Sequence, residues 1–145
     1  MKAVVQRVKR AKVTVEGIIT GEIGRGILVL LGVKKGDTEQ EMEWVAEKCI
    51  NLRIFEDESG RFNFSLLDIK GEILVVSQFT LLGDCRRGRR PSFTDAAQGE
   101  EAEKIYNKFV SYLKSKGLDV KTGEFGAHMD VELINDGPVT LIVER

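Results

Sequence analysis

Residues 27–33, Ile-Leu-Val-Leu-Leu-Gly-Val, decide the fold. This unbroken apolar run reads as a central β-strand buried on both faces. The segment before it also reads as strand. Residues 3–15 (AVVQRVKRAKVTV) alternate apolar and polar for much of their length. Glu16-Gly17 is a turn signal, Ile18-Ile19-Thr20 starts a return strand, and Gly24-Arg25-Gly26 is a second turn. After the run, Thr38-Glu39-Gln40-Glu41 has the S/T-x-x-E form of a helix capping box. Met42, Val45, Ala46, Cys49 and Ile50 follow at helical spacing. Residues 53–64 read as a short strand and a hairpin turned at Glu58-Ser59-Gly60, and residues 72–79 (EILVVSQF) as a second strongly buried strand. Residues 99–116 form a second amphipathic helix stopped by Gly117. Strand signals return at 118–121, at Met129, Val131 and Leu133, and at 139–143, the last two separated by an Asn135-Asp136-Gly137-Pro138 turn. Strands and helices do not alternate as βαβ units. The expected class is therefore mixed α/β: an antiparallel or mixed sheet, curled or barrel-like, with two helices packed on it.

The chain has 145 residues, enough for one domain spanning 1–145. Its formal charge is 22 − 23 = −1, which excludes a uniformly basic nucleic-acid coat but not a local basic patch. No apolar run approaches the roughly 18 residues of a membrane span, and MKAVVQRVKR has no apolar core of a secretory signal. The expectation is a cytoplasmic protein without a membrane partner. His128, Cys49 and Cys85 are the only His and Cys residues, too few for a structural zinc site. No metal or cofactor is expected. Any histidine-based mechanism would have to run through His128, read here as exposed or structural; Cys49 lies on an apolar helix stripe and reads as an inert core thiol.

Three stretches break the local pattern. Ser77-Gln78-Phe79-Thr80 places three polar side chains at the end of an aliphatic strand. That is either a strand end reaching solvent or a pocket wall aiming hydroxyls and backbone N–H groups at a ligand. Asn135-Asp136-Gly137-Pro138-Val139-Thr140 is either a plain hairpin turn or a side-chain-poor surface that recognises a ligand by backbone alone; Gly-Pro is also one of the few places where a cis bond costs little. The loop DCRRGRRPSF, residues 84–93, carries Arg86, Arg87, Arg89 and Arg90 against one Asp, for +3, leaving −4 on the remainder. It is either a solvated surface or a phosphate-binding loop. Arg7, Lys9, Arg10 and Lys12 form a second, weaker basic cluster.

These stretches carry a resemblance. MKAVVQRV at 1–8, SQFTL at 77–81, RRPSF at 89–93, FGAHM at 125–129 and NDGPVT at 135–140 resemble the D-Tyr-tRNA deacylase family of D-aminoacyl-tRNA deacylases, over essentially the whole chain. The resemblance implies a homodimeric editing hydrolase that cleaves D-amino acids from the 3′-terminal adenosine of tRNA, and also clears glycyl-tRNA mischarged on tRNA-Ala. It implies that Ser77 to Leu81 (Ser77, Gln78, Phe79, Thr80 and Leu81) line the pocket and that Gly137 and Pro138 of the other subunit close it and reject L-amino acids sterically. It further implies that Arg7 holds that loop, that Phe125 and Met129 lie near the pocket, and that Ala102 borders the adenine. Backbone N–H groups near Phe79 and Thr80 would polarise the ester, and the substrate 2′-OH would assist. Thr80 as nucleophile is the competing route. A non-catalytic nucleic-acid-binding module of the same fold and a plain ester or peptide hydrolase stay open.

Overall fold

One long strand organises the computed structural model, which describes residues 1–145. Strand β1 (Lys2–Val15) pairs antiparallel along one edge with two strands in succession. Its first half meets β3 (Gly26–Gly32) and its second half meets β2 (Ile18–Ile23). Along the other edge it pairs with a single strand, the C-terminal β8 (Asp130–Glu144), in antiparallel register from Lys2↔Glu144 to Thr14↔Asp130. Helix α1 (Glu39–Asn51), the small hairpin β4 (Phe55–Glu56) and β5 (Phe62–Phe64), and the single turn α2 (Leu66–Ile69) follow β3. Then β6 (Glu72–Ser77) lies parallel to β3, and β7 (Asp119–Thr122) lies parallel to β6 after helix α3 (Gly99–Ser115).

The strand order β2-β1-β3-β6-β7 curls until its ends meet. A Cβ added to Gly21 of β2 would stand only 2.4 Å from the carbonyl oxygen of Thr122 in β7, so this near-closure requires glycine. The curl creates two apolar compartments. Val8, Ala11, Val13, Ile23, Leu28, Leu74 and Val76 fill the barrel interior. The opposite faces of the same strands, with Ile27, Val29, Leu31, Ile73 and Val75, pack on α1 and α3 through Val45, Ile50, Phe109 and Leu113. Both faces of β3 are thus buried, and this accounts for the uninterrupted apolar run at 27–33.

The capping box of α1 forms as the sequence implies: Thr38 N–H donates to Glu41 at 2.7 Å, and Gln40 N–H donates to the Thr38 hydroxyl at 3.2 Å. Three expectations change. The strand read through Phe79 stops at Ser77, and residues Phe79–Leu82 wind into a 3₁₀ turn. A third helix, α2, is present, with Ser65 and Asp68 as its own capping box. Asn135-Asp136-Gly137-Pro138 does not reverse the chain. Both flanks pair with β1, Thr140 with Gln6 and Asn135 with Val8, so Asp136 to Val139 form a bulged loop opposite Arg7. The fourteen-residue template of β1 holds both flanks in one direction and overrides the local turn signal.

Candidate active site

The site begins where β6 ends. Gln78 N–H continues the β3 ladder by donating to the Leu31 carbonyl at 2.8 Å, and the chain then turns. Leu81 N–H is the first in the 3₁₀ turn to bond back, to the Gln78 carbonyl at 3.2 Å. The N–H groups of Phe79 and Thr80 therefore have no intrahelical acceptor. The Gln78 side-chain amide donates to the Thr80 hydroxyl, which fixes both side chains relative to the turn. The Phe79 ring, half exposed, stands edge-on to Phe93 of the arginine loop, centroids 5.2 Å apart.

A cavity of about 470 Å³ opens beside this turn. Ser77, Gln78 and Phe79 form one wall. Ala97, Gln98, Gly99 and Ala102, at the start of α3, form the second, and the segment from Phe125 to Met129 forms the third. Leu31, Val33, Val76 and Val131 give it an apolar floor. The third wall is braced from behind. Tyr106 of α3 packs its ring on Phe125 at 5.5 Å and donates its hydroxyl to the Val75 carbonyl at 2.9 Å. Burial pushes the Tyr106 phenol up, so it remains a neutral donor.

Of the residues singled out by sequence, Ser77, Gln78, Phe79, Ala102, Phe125 and Met129 line this cavity together. Thr80 is exposed beside it, and neither Thr80 nor Leu81 is part of the lining, because the chain leaves the cavity wall as it winds into the 3₁₀ turn. His128 is an exposed residue of the rim. Gly137 and Pro138, joined by a cis peptide bond, are exposed on the β8 bulge and do not line the cavity of their own chain.

Arg7 is buried behind that bulge, its side chain 6% exposed. Its Nε donates to the Asp136 carbonyl at 2.8 Å and its Nη1 to the Ile54 carbonyl at 2.7 Å. Glu56 and the Asp136 carboxylate stand 3.6 and 3.7 Å from it. Arg7 thus differs from Lys9 and Arg10, its exposed companions in the basic cluster. The arginine loop is closed at its base by two backbone hydrogen bonds between Asp84 and Ser92, at 2.8 and 3.0 Å. Asp84 clamps Arg86 through both carboxylate oxygens, and Arg86 in turn holds the Asp84 carboxyl down at about 2. Arg87, Arg89 and Arg90 are exposed around Gly88. All four arginines read from sequence are thus exposed, Arg86 paired with Asp84 and the other three without an acidic partner.

Sequence reading missed Gln98 and Gly99 as a wall, Tyr106 as a brace and Phe93 as a contact of Phe79. The small residues Ala96-Ala97 ahead of α3 were the available signal for the first; the others depend on tertiary placement. Nowhere do three or more His, Cys, Asp or Glu side chains gather as a set of metal ligands, and no helix is long and apolar enough to cross a membrane.

Known proteins resemble this chain over its whole length. The family model described as D-Tyr-tRNA(Tyr) deacylase matches residues 4–144. A protein of Thermosipho africanus named D-aminoacyl-tRNA deacylase is 60% identical over 99% of this chain and 97% of its own length. A Brevibacillus brevis protein of the same name is 60% identical over 99% of both chains. A solved structure described as "c-Myc DNA Unwinding Element Binding Protein" superposes with a TM-score of 0.94 at 50% identity, covering 100% of this chain and 99% of that one. Another, described as a "probable eukaryotic D-amino acid tRNA deacylase", superposes at 0.83 with 17% identity over 98% of this chain and 97% of that one, and speaks to the fold alone. Full-length identity at this level, and a match running from β1 through the β8 bulge, mean that the chain belongs to the D-Tyr-tRNA(Tyr) deacylase family.

Proposed function

We propose that this chain hydrolyses the ester between a D-amino acid and the 3′-terminal adenosine of tRNA, releasing the free amino acid and tRNA. The observation that carries the reading is the cavity at the end of β6, flanked by the two free N–H groups of the 3₁₀ turn, in a member of this family. In this reading the ester carbonyl sits over the N–H groups of Phe79 and Thr80, which stabilise the oxyanion as water adds. An aminoacyl ester is already activated and carries its own neighbouring 2′-OH, so positioning supplies most of what remains. Ala102 borders the adenine, and Arg87, Arg89 and Arg90 take tRNA phosphates. The Thr80 hydroxyl, held by Gln78 and without a base beside it, ranks below the substrate 2′-OH as the activating group.

The same reading makes the working unit a homodimer in the cytoplasm, each cavity closed by Gly137 and Pro138 of the other subunit. Two features support this. The loop is exposed and away from its own cavity. The outer edge of β8 is unpaired and carries exposed Ile134, Leu141 and Ile142, an edge that invites a partner. A backbone wall on the L side of Cα excludes L-amino acids and leaves D-amino acids and glycine free to react.

The test is the time course of D-tyrosyl-, L-tyrosyl- and glycyl-tRNA hydrolysis at equal enzyme. Rapid loss of the D and glycyl esters with L untouched is expected; equal D and L rates would refute it. A second reading, nucleic-acid binding without catalysis, is favoured by the DNA-binding description of the relative at 50% identity. Tight tRNA binding with no deacylation of any of the three substrates would select it.

A further inference from the structure

We propose that Asn135 is a positioning residue for chirality: its side chain clasps the two ends of the Gly137–Pro138 loop and so sets where that wall stands. This rests on the reading of the loop given above. Asn135 Oδ1 accepts the Val139 N–H at 2.7 Å. Its Nδ2 donates to the Thr140 hydroxyl at 2.8 Å and reaches the Val139 carbonyl at 3.4 Å. Gln6 of β1 reaches the same Thr140 hydroxyl at 3.4 Å. One amide side chain therefore bridges the strand entering the bulge and the strand leaving it. Val139 itself is buried, so its N–H depends on Asn135 for a partner.

Arg7 does a different job. It holds the Asp136 carbonyl from inside. Strand β1 takes hold of the exit only from Thr140 onward, through Gln6, and Arg7 does not reach it; the Val139 N–H itself is held by Asn135. The two exposed residues between these anchors are the wall. Position 137 has no room for a side chain, because a Cβ there would stand 2.8 Å from Val139 Cγ2 and 3.2 Å from Arg7 Nη2.

Selection by exclusion fails in a characteristic way. If the wall drifts by about 1 Å, the L substrate gains room while the D substrate loses nothing it was touching. Loosening the clasp should raise the L rate and leave the D rate nearly unchanged. A residue with a merely structural role would lower both rates together and leave their ratio alone.

The experiment compares D-tyrosyl- and L-tyrosyl-tRNA hydrolysis for wild type, Asn135→Ala, Asn135→Asp and Gly137→Ala, with thermal unfolding of each. Asn135→Ala should raise the L-to-D rate ratio by about tenfold, the free-energy equivalent of roughly one hydrogen bond. Asn135→Asp keeps an acceptor for Val139 N–H and can accept the Thr140 hydroxyl, so its ratio should stay within about twofold of wild type. An unchanged ratio in Asn135→Ala, with Gly137→Ala altering the D rate or the ratio, overturns the role of Asn135 and leaves the loop reading standing. If Gly137→Ala changes neither, the loop is not the chiral wall and both fall. Should Asn135→Ala not fold, Thr140→Val removes one half of the clasp. It should raise the ratio by about threefold, and no change there overturns the proposal equally.

Discussion

Replacing Arg7 tests how the deacylase loop is held. Its guanidinium spans two carbonyls from different parts of the chain, Ile54 at 2.7 Å and Asp136 at 2.8 Å, and lies over the Phe62 ring at 5.4 Å. Both hydrogen bonds have a charged donor, and such bonds contribute about 1.5–3 kcal/mol each. Arg7→Lys keeps the charge, but an ammonium is a point donor and cannot replace a planar fork that serves two separated acceptors. It should lose one of the two bonds, about 2 kcal/mol. Arg7→Ala loses both, strands two carbonyls and leaves a void, for about 3–5 kcal/mol. At about 2–4 °C per kcal/mol for a chain of this size, Arg7→Lys should lower Tm by about 6 °C. Unfolding should be followed by circular dichroism at fixed protomer concentration, because self-association alters apparent stability. The same variants should show a raised L-to-D rate ratio, since Asp136 adjoins the Gly137–Pro138 wall. A Tm within about 1 °C of wild type for Arg7→Lys, or a selectivity unchanged in a destabilised Arg7→Ala, would refute the reasoning.

The other predictions concern chemistry, tRNA and titration. Thr80→Val should retain hydrolysis within about tenfold of wild type, whereas a 2′-deoxy terminal adenosine should cost about 100-fold or more; a trapped acyl-Thr80 species would reverse the ranking. Replacing Arg87, Arg89 and Arg90 together by Ala should flatten the dependence of log K for tRNA on log salt by about two to three, with chirality preference kept; an unchanged slope returns the loop to a solvated surface. Native protein should react with one equivalent of a thiol reagent, at exposed Cys85, and unfolded protein with two, because burial pushes the Cys49 thiol up to about 12. A thiol raised from 9.0 to about 12 on folding is protonated in both states below pH 9 and ionises first in the unfolded chain. Stability should therefore fall as pH rises above 9, by about 1.4 kcal/mol per unit from this group, and a urea midpoint that is flat or rising there would contradict the burial.

Much of the fold was legible because its signals are local. The run at 27–33 announced burial on both faces, and the two compartments on either side of β3 explain why. The capping box at Thr38 and the apolar stripe of 99–116 marked helices that formed where expected. The single turn α2 escaped because four residues cannot display a helical period, although Ser65-x-x-Asp68 was there to be read as a cap. The site was legible in part for the same reason. Three polar side chains at the end of an aliphatic strand flagged the wall made by Ser77 to Phe79. The opposite wall at Gln98-Gly99 and the brace from Tyr106 carry no local irregularity, since their role exists only once α3 lies across the end of β6.

The misread turn at 135–138 had a second signature, in β1. Its buried residues run Ala3, Val5, Arg7, then Val8, Ala11, Val13. A strand that alternates strictly keeps one parity on one face. Here Ala3 and Val5 belong to the compartment under the helices, while Ala11 and Val13, of the same parity, fill the barrel interior with Val8. The faces therefore exchange between Val8 and Ala11, where Lys9 and Arg10 interrupt the apolar alternation. The pairing of β1 with β8 shifts register on both sides of Val8, and Asp136 to Val139 occupy the first of these shifts. The Gly-Pro insertion lies opposite Arg7, one register step before the phase slip that follows Val8. Arg7 keeps the parity of Ala3 and Val5 and so points inward, where its donors meet the carbonyl of the residue before Gly137, while the insertion leaves Gly137 and Pro138 exposed. A hairpin at 135–138 would have left Arg7 on an ordinary paired strand with no loop to hold. The bulge is what allows one buried cation to govern an exposed backbone wall, and its two signals lie roughly 130 positions apart in a chain read one segment at a time.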